Sequence, residues 1–151
     1  MDIIRRNTDY ALRLVIGLAG RADEGAVSTR RLAEEQAVPY QLACKLLQQL
    51  QDAGIVHSAM GPKGGFRLQR GPERISLLDV IEAVQGPLRL NRCLLRDARC
   101  PRQEVCPVRA KIGRLQDQMG EYLGGITLAE LVQGQGAGRT TEIRELAGGN
   151  V

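Results

Sequence analysis

Three cysteines, Cys93, Cys100 and Cys106, lie in a short basic segment of this 151-residue chain and have the clearest capacity for chemistry. Between residues 89 and 114 there are eight Lys or Arg residues and two acidic residues. Positive charge favours the thiolate form of cysteine, which is the form that binds metals and reacts with oxidants. A solvated basic loop would have the same composition, so the segment alone leaves both interpretations open.

The cellular compartment and the cysteine spacing narrow the chemistry. The apolar run at residues 14–19 is far shorter than the roughly 20 residues that span a bilayer, and it lies inside a helical pattern. We therefore expect a cytoplasmic protein, in which clustered cysteines more often serve metal or redox chemistry than structural disulfides. Six residues separate Cys93 from Cys100 and five separate Cys100 from Cys106, which differs from the closely paired cysteines of structural zinc sites.

Two short helices with a brief joint are predicted upstream of the cysteines. Ser28 can cap a helix that runs to about Gln36, and Pro39 can open a second helix that Gly54 ends. Leucines share one face of the second helix, while Gln41, Cys44, Lys45 and Gln48 share the other. Such a face suits a helix that reads DNA bases and phosphates, although an ordinary amphipathic helix has the same pattern.

The segment that follows predicts a β-hairpin wing. Residues 55–58 and 66–68 read as strands, and the glycine-rich stretch 61–65 joins them. Lys63 at the tip and Arg67 on the second strand could meet a phosphate backbone or a minor groove. The net charge of +4 is compatible with nucleic-acid binding. A helix-turn-helix followed by a basic wing is more specific than either part alone.

The residues predicted to contact DNA are the polar, aromatic and cationic side chains of the helix-turn-helix and the wing. They are Thr29, Arg30, Arg31, Tyr40, Gln41, Lys45, Gln48, Lys63 and Arg67.

A long helix is predicted from about Pro107 to Leu123. Its apolar residues recur with the spacing of a coiled coil, and a chain of this size offers them little to pack against. We therefore predict a homodimer interface, the alternative being that the helix packs onto its own domain. The interface residues are Val108, Ile112, Leu115, Met119 and Tyr122.

The predicted fold is mainly α-helical. Residues 1–86 form a winged helix-turn-helix domain, with Asn7 or Thr8 capping its first helix and Ser76 with Asp79 forming a capping box later. Residues 87–107 form the cysteine loop. Residues 107–132 form the dimerisation helix and a short helix that Thr127 caps, and residues 133–151 are expected to be a mobile tail.

The segments at residues 8–13, 38–54 and 61–66, together with the three-cysteine loop, resemble the Rrf-two-type bacterial regulators over residues 1 to about 133. The resemblance implies a cytoplasmic homodimer with crossing long helices that binds a pseudo-palindromic operator in double-stranded DNA and has no enzymatic activity. It also implies an iron–sulfur cluster, [4Fe–4S] or [2Fe–2S], on Cys93, Cys100 and Cys106 near the dimer interface. Cluster loss or damage by nitric oxide, redox change or iron shortage would then shift the two winged domains.

Three thiolates leave such a cluster one ligand short of the usual four. In the family that this chain resembles, regulators of the IscR type have a histidine three residues after the third cysteine, where this chain has Arg109. The NsrR type uses an aspartate from the first helix of the partner subunit, and Asp9 occupies the matching position. The resemblance therefore implies Asp9 as a metal ligand, whereas the sequence alone explains it as an acid that favours a helix N-terminus.

Three rival functions stay open. The same DNA-binding fold could lack a cluster and use Cys93, Cys100 and Cys106 as a thiol redox switch. A redox protein that does not bind DNA is disfavoured because the sequence has no C-x-x-C pair and no second cluster motif. A winged-helix protein–protein adaptor is the third.

Overall fold

A computed structural model describes residues 3–94 and 100–135 of the chain. This part contains six α-helices: α1 (Arg6–Ala19), α2 (Thr29–Glu35), α3 (Tyr40–Asp52), α4 (Leu77–Gln85), α5 (Pro107–Gly125) and α6 (Leu128–Gln135). Strands β1 (Val56–Ala59) and β2 (Gly65–Leu68) form an antiparallel hairpin, and short 3-10 turns lie at Pro72–Arg74 and Arg92–Leu94. The mainly helical, winged helix-turn-helix prediction is confirmed. None of the described helices is both long and apolar enough to span a membrane.

The core lies where α1, α2, α3, α4 and α6 meet under the hairpin. Its largest fully buried side chains are aliphatic, as expected of a chain with one Phe and no Trp: Leu14, Leu32, Leu46, Leu47, Leu50, Ile55, Ile75, Ile81 and Leu128. Replacing such a residue with Ala typically lowers the free energy of unfolding by about 2–5 kcal/mol. This packing holds the inner face of α3 firmly, and it therefore fixes the direction of the outer face.

The start of α1 differs from the prediction. The helix begins at Arg6, no side chain caps it, and Thr8 is fully buried. The Thr8 hydroxyl donates to Oε1 of Gln85 at 2.7 Å, and Nε2 of Gln85 donates to the carbonyl of Ile3 at 2.8 Å. The capping role predicted for Asn7 or Thr8 is wrong because Thr8 is used instead in a tertiary hydrogen bond to the end of α4.

The helix-turn-helix agrees closely with the prediction. The Ser28 hydroxyl caps α2 by accepting from the Arg31 amide at 3.3 Å, and Gly54, with φ +72°, follows α3. Pro39 is the residue before α3 rather than its first helical residue. Because the proline ring fixes φ and removes an N–H that would lack a partner there, the boundary moves by one residue at little cost.

The wing is attached to the segment before α2. Val27 and Phe66 exchange two backbone hydrogen bonds of 2.8 and 2.9 Å beside the hairpin. Gly65 has φ +151°, and a Cβ there would overlap the Val27 carbonyl. Glycine at this position therefore permits the close approach that holds the wing next to α2.

The chain returns to the winged domain after α5. The Leu77 amide donates to the Ile126 carbonyl at 2.8 Å, and the Leu128 amide donates to the Ile75 carbonyl at 2.9 Å. The predicted capping box of Ser76 and the carboxylate at 79 forms beside this junction and starts α4. The predicted domain boundaries stay predictions. Of the expected tail, residues 136–151 lie outside the described part, and α6 continues to residue 135.

Candidate nucleic-acid interface and cysteine loop

The outer face of α3 carries the side chains predicted to read DNA. Gln41, Lys45 and Gln48 are exposed there, and Cys44 between them is half-buried. The carboxamide of Gln48 is already engaged, because its Nε2 donates to Oδ1 of Asp52 at 3.0 Å. Contact of Gln48 with a base therefore uses its free carbonyl oxygen or requires exchange of this hydrogen bond.

An arginine is stacked beside the start of α3. The guanidinium carbon of Arg30 lies 4.9 Å from the ring centroid of Tyr40, and that tyrosine is 43% exposed. Stacking of this kind restricts the guanidinium without using up its hydrogen-bond donors. Thr29, next to it, is half-buried. Arg30 is thus held ready for an anion at the N-terminal end of the predicted reading helix.

Arg31 has a different environment. Its Nε lies 2.9 Å from Oε1 of Glu35, and the other oxygen of that carboxylate lies 2.5 Å from Nη1 of Arg21. Arg31, followed by Arg21, holds the pKa of Glu35 below its ordinary value through these hydrogen bonds. The charge of Arg31 is therefore largely compensated, whereas Arg30 has no ion pair within the part of the chain that the structure describes.

The wing presents different groups at its tip and at its base. Lys63 is exposed at the tip, and Met60, three residues earlier in the chain, is 96% exposed. Arg67 lies near the base, directly across from His57 in the hairpin. Met60 was not among the residues predicted to contact DNA. Its signal is a large apolar residue beside the Gly-Pro turn of a basic wing, where minor-groove-binding proteins often place an apolar wedge.

The three loop cysteines lie at different points of the segment that precedes α5. Cys93 lies in the 3-10 turn before α5, Cys100 follows residues 95–99, which are outside the described part, and Cys106 precedes α5. All three are free and half-buried. The Cys106 sulfur accepts from the Arg109 amide at 3.4 Å and so caps α5.

The donor set fits an iron–sulfur cluster in its chemistry, because thiolates are the ligands such clusters use. Within residues 3–94 and 100–135, however, no three His, Cys, Asp or Glu side chains lie together in a group that could hold a metal. One chain as described therefore does not assemble the predicted ligand set.

Asp9 lies on the exposed side of α1. Its Oδ2 accepts from Nη2 of Arg13 at 2.8 Å, a pair one helical turn apart. The predicted ligand role of Asp9 requires a second subunit, and within the single chain the residue makes this local ion pair.

The predicted dimer seam on α5 is solvent-accessible. Val108, Leu115 and Tyr122 are 63%, 49% and 66% exposed, and Ile112 and Met119 are half-buried. No residue of α5 is fully buried. Large exposed side chains along one helical face are typical of a surface that another protein covers.

Comparison with known proteins gives a consistent picture. The sequence model of the Rrf2 family, described as an iron-dependent transcriptional regulator, matches residues 4–134. The transcriptional regulator IscR of Xenorhabdus nematophila is 31% identical over 126 residues, which cover 83% of this chain and 76% of the relative. The solved structure of CymR, a global cysteine regulator of B. subtilis, is similar with a TM-score of 0.73 and 28% identity, covering 88% of this chain and 98% of CymR. The solved structure of the oxidized form of Staphylococcus aureus CymR is similar with a TM-score of 0.68 and 27% identity, and the match covers 87% of this chain and 96% of that one.

Proposed function

Because the chain belongs to the Rrf2 family of transcriptional regulators, we propose that it is a homodimer whose affinity for its operator is controlled by an iron–sulfur cluster. The protein is a transcriptional regulator with a DNA-binding fold and is not an enzyme. The proposal adds the two-fold assembly, the cluster and the residues that carry each role.

The observation that carries the DNA-binding surface is the exposed polar face of α3 beside the wing. Gln41, Lys45 and Gln48 point away from the buried leucines, so they can enter a major groove while the scaffold stays packed. Arg30 precedes this helix in the chain and Lys63 follows it, and both are assigned to contacts with phosphates. Arg67 lines a separate cleft.

The exposed apolar seam of α5 supports the homodimer. Two copies of α5 packed about a two-fold axis would cover Leu115 and its neighbours with the same residues of the partner. A two-fold dimer presents two copies of α3, so its operator should be roughly palindromic, with half-sites about one helical turn apart or a multiple of it.

Cys93, Cys100 and Cys106 are the residues assigned to the cluster. Support comes from their three free thiols in one loop, from the family's description as iron-dependent and from the similarity to a regulator named IscR. When bound, the cluster would supply a centre that responds to nitric oxide, to redox state or to iron. Cys106 has a fixed place at the start of α5, so a group held there would be directly connected to the proposed dimer helix.

A second candidate is a cluster-free thiol switch that uses the same three cysteines. Two observations favour it: the described residues hold no group of three metal donors, and a similar solved structure is the oxidized form of CymR. In this case oxidation of a loop thiolate would change the connection between the loop and α5.

Anaerobic purification of the full chain tests both candidates. We expect a brown protein that contains iron and sulfide and binds specific sites selected from a random DNA pool. Cys93→Ala, Cys100→Ala and Cys106→Ala should each abolish the visible absorbance, while Cys44→Ala, the matched control outside the loop, should keep it.

A colourless protein without iron, whose DNA affinity changes reversibly with a thiol oxidant, would establish the thiol switch instead. Loss of absorbance in Cys44→Ala would show that the assigned ligand set is wrong. Failure to select any DNA sequence would overturn the assignment of the α3 and wing surface.

A further inference from the structure

A cleft of about 430 Å³ lies at the base of the wing. Its walls come from the end of α1, from both strands of the hairpin and from residues 69–72 that leave the hairpin. The volume is within the range of small-molecule sites, which is about 300–1,000 Å³. The cleft is therefore large enough for an organic molecule and not only for an ion.

The ionisable side chains that line the cleft are all basic residues. Arg67 and His57 face each other across the hairpin, Arg70 follows, and no Asp or Glu is among the lining residues. Arg67 has no ion pair within the described residues. Arg70 lies 3.6 Å from Asp79, whose carboxylate is already held by the Ser76 amide at 2.9 Å.

A third guanidinium completes the wall but does not add free charge. Arg21 pairs with Glu35 at 2.5 Å and lies 3.6 Å from Glu24. The free positive charge of the cleft therefore comes from Arg67 and, in part, from Arg70. Two guanidinium groups in the lining of a cavity suit a carboxylate or a phosphate, which each can bind with paired hydrogen bonds.

The remaining lining of the cleft is mixed, with Gln69 as its polar side chain and several apolar residues. Leu18 is buried at its floor, and Ala22, Leu68 and Pro72 also line it. An inorganic ion would leave this apolar surface in contact with water, whereas an organic anion would cover it.

We propose that this cleft binds a small organic anion, with a carboxylate or phosphate group held by Arg67 and Arg70 and an apolar body packed on Leu18, Leu68 and Pro72. The site is separate from the cysteine loop and from the outer face of α3. It requires neither the cluster nor DNA.

Titration of the full chain with sodium benzoate, followed by 1H–15N correlation spectra, tests the proposal. Inorganic phosphate tests the anionic group without the apolar body, and sodium chloride at equal ionic strength is the reference. We expect saturable shifts with benzoate at residues 21–25, 57 and 67–72, and weaker binding of phosphate. No saturable shift with either anion, or shifts equal to those with chloride, would overturn the proposal.

Three charge-removing variants locate the site. Arg67→Gln and Arg70→Gln should each weaken benzoate binding about tenfold, which corresponds to one charged hydrogen bond. Arg74→Gln is the matched control, because Arg74 is exposed on the adjacent 3-10 turn and does not line the cleft. Equal losses in all three variants would show only a general charge effect and would contradict the site.

A DNA titration separates this proposal from the proposed function. If Arg67→Gln lowers the salt dependence of DNA binding and benzoate does not bind, Arg67 serves a DNA phosphate and the cleft proposal is wrong. If the wild-type chain binds benzoate but no DNA, the proposed function fails while the anion site stands.

Discussion

At the scale of single residues, Arg30 and Arg31 show how neighbours of identical type acquire different roles. The sequence treats them as one basic pair. In the structure Arg30 is stacked on Tyr40 beside the start of α3, whereas Arg31 is bound to Glu35, which Arg21 also holds. Charge that is already compensated contributes little to phosphate binding, so only one of the two should matter for DNA.

Arg30→Ala should weaken binding to all DNA sequences and reduce the slope of log affinity against log salt by about one. Arg31→Ala, the matched control, should change that slope by much less. Fluorescence anisotropy of a labelled operator at several salt concentrations measures both. Equal slopes for the two variants would show that the ion pair to Glu35 opens on binding, contrary to this assignment.

At the scale of helices and strands, helix ends that depend on residues close in sequence could be predicted. Ser28 before α2, the capping box at Ser76 and Gly54 after α3 each act within a few residues of their own position, and each is present as predicted. The start of α1 was not predictable, because the group that binds the Thr8 hydroxyl is Gln85, 77 residues away. Local rules cannot identify a partner that only the tertiary fold brings close.

The helix α5 carries the clearest prediction at this scale. Leu115→Glu should convert the dimer to monomers, because it would bury two like charges across a two-fold axis. Since Leu115 is 49% exposed in the single chain, the variant should still fold. Sedimentation velocity measures the mass and circular dichroism the helix content.

Ala110→Glu serves as the control for that experiment. Ala110 is exposed on α5 and lies outside the seam, so the same added charge should leave the dimer intact. A folded dimer of the Leu115→Glu variant would place the interface on another surface.

At the scale of the whole molecule, Asp9 tests whether the proposed cluster site is completed by the partner subunit of the proposed dimer. In the single chain Asp9 pairs with Arg13 at 2.8 Å. A carboxylate is a harder and weaker partner for cluster iron than a thiolate. Asp9→Ala should therefore still allow a cluster on three cysteines, but with a changed visible spectrum and a changed rate of reaction with nitric oxide or oxygen.

Arg13→Ala is the matched control, because it removes the same ion pair and keeps the carboxylate. It should leave the spectrum close to that of the unmodified protein. An unchanged spectrum and unchanged reactivity in Asp9→Ala would show that Asp9 is not a ligand and only favours the start of a helix.

The cleft at the wing base is the feature of the whole molecule that the sequence did not predict. Arg67 was assigned to DNA because it lies on a wing strand. The structure also places it at a cleft that residues 18–25 and His57, distant in the chain, line together with residues 67–72, and its contact with DNA stays a prediction. The three loop cysteines, by contrast, can be identified from the sequence because they lie within one continuous segment.

The backbone contacts at Ile75–Leu77 and Ile126–Leu128 make the DNA-binding unit discontinuous in sequence. Helix α4 begins at this junction and packs in the core of the winged domain, and α5 leads the chain back to the junction, so residues 86–125 form an insertion between two parts of one core. Leu128 then fills the core of the winged domain from beyond the insertion. Insertions and deletions in the cysteine segment should therefore leave the contacts at Ile75–Leu77 and Ile126–Leu128 in place. Cutting the chain before residue 128 would instead remove Leu128 from the core of the winged domain.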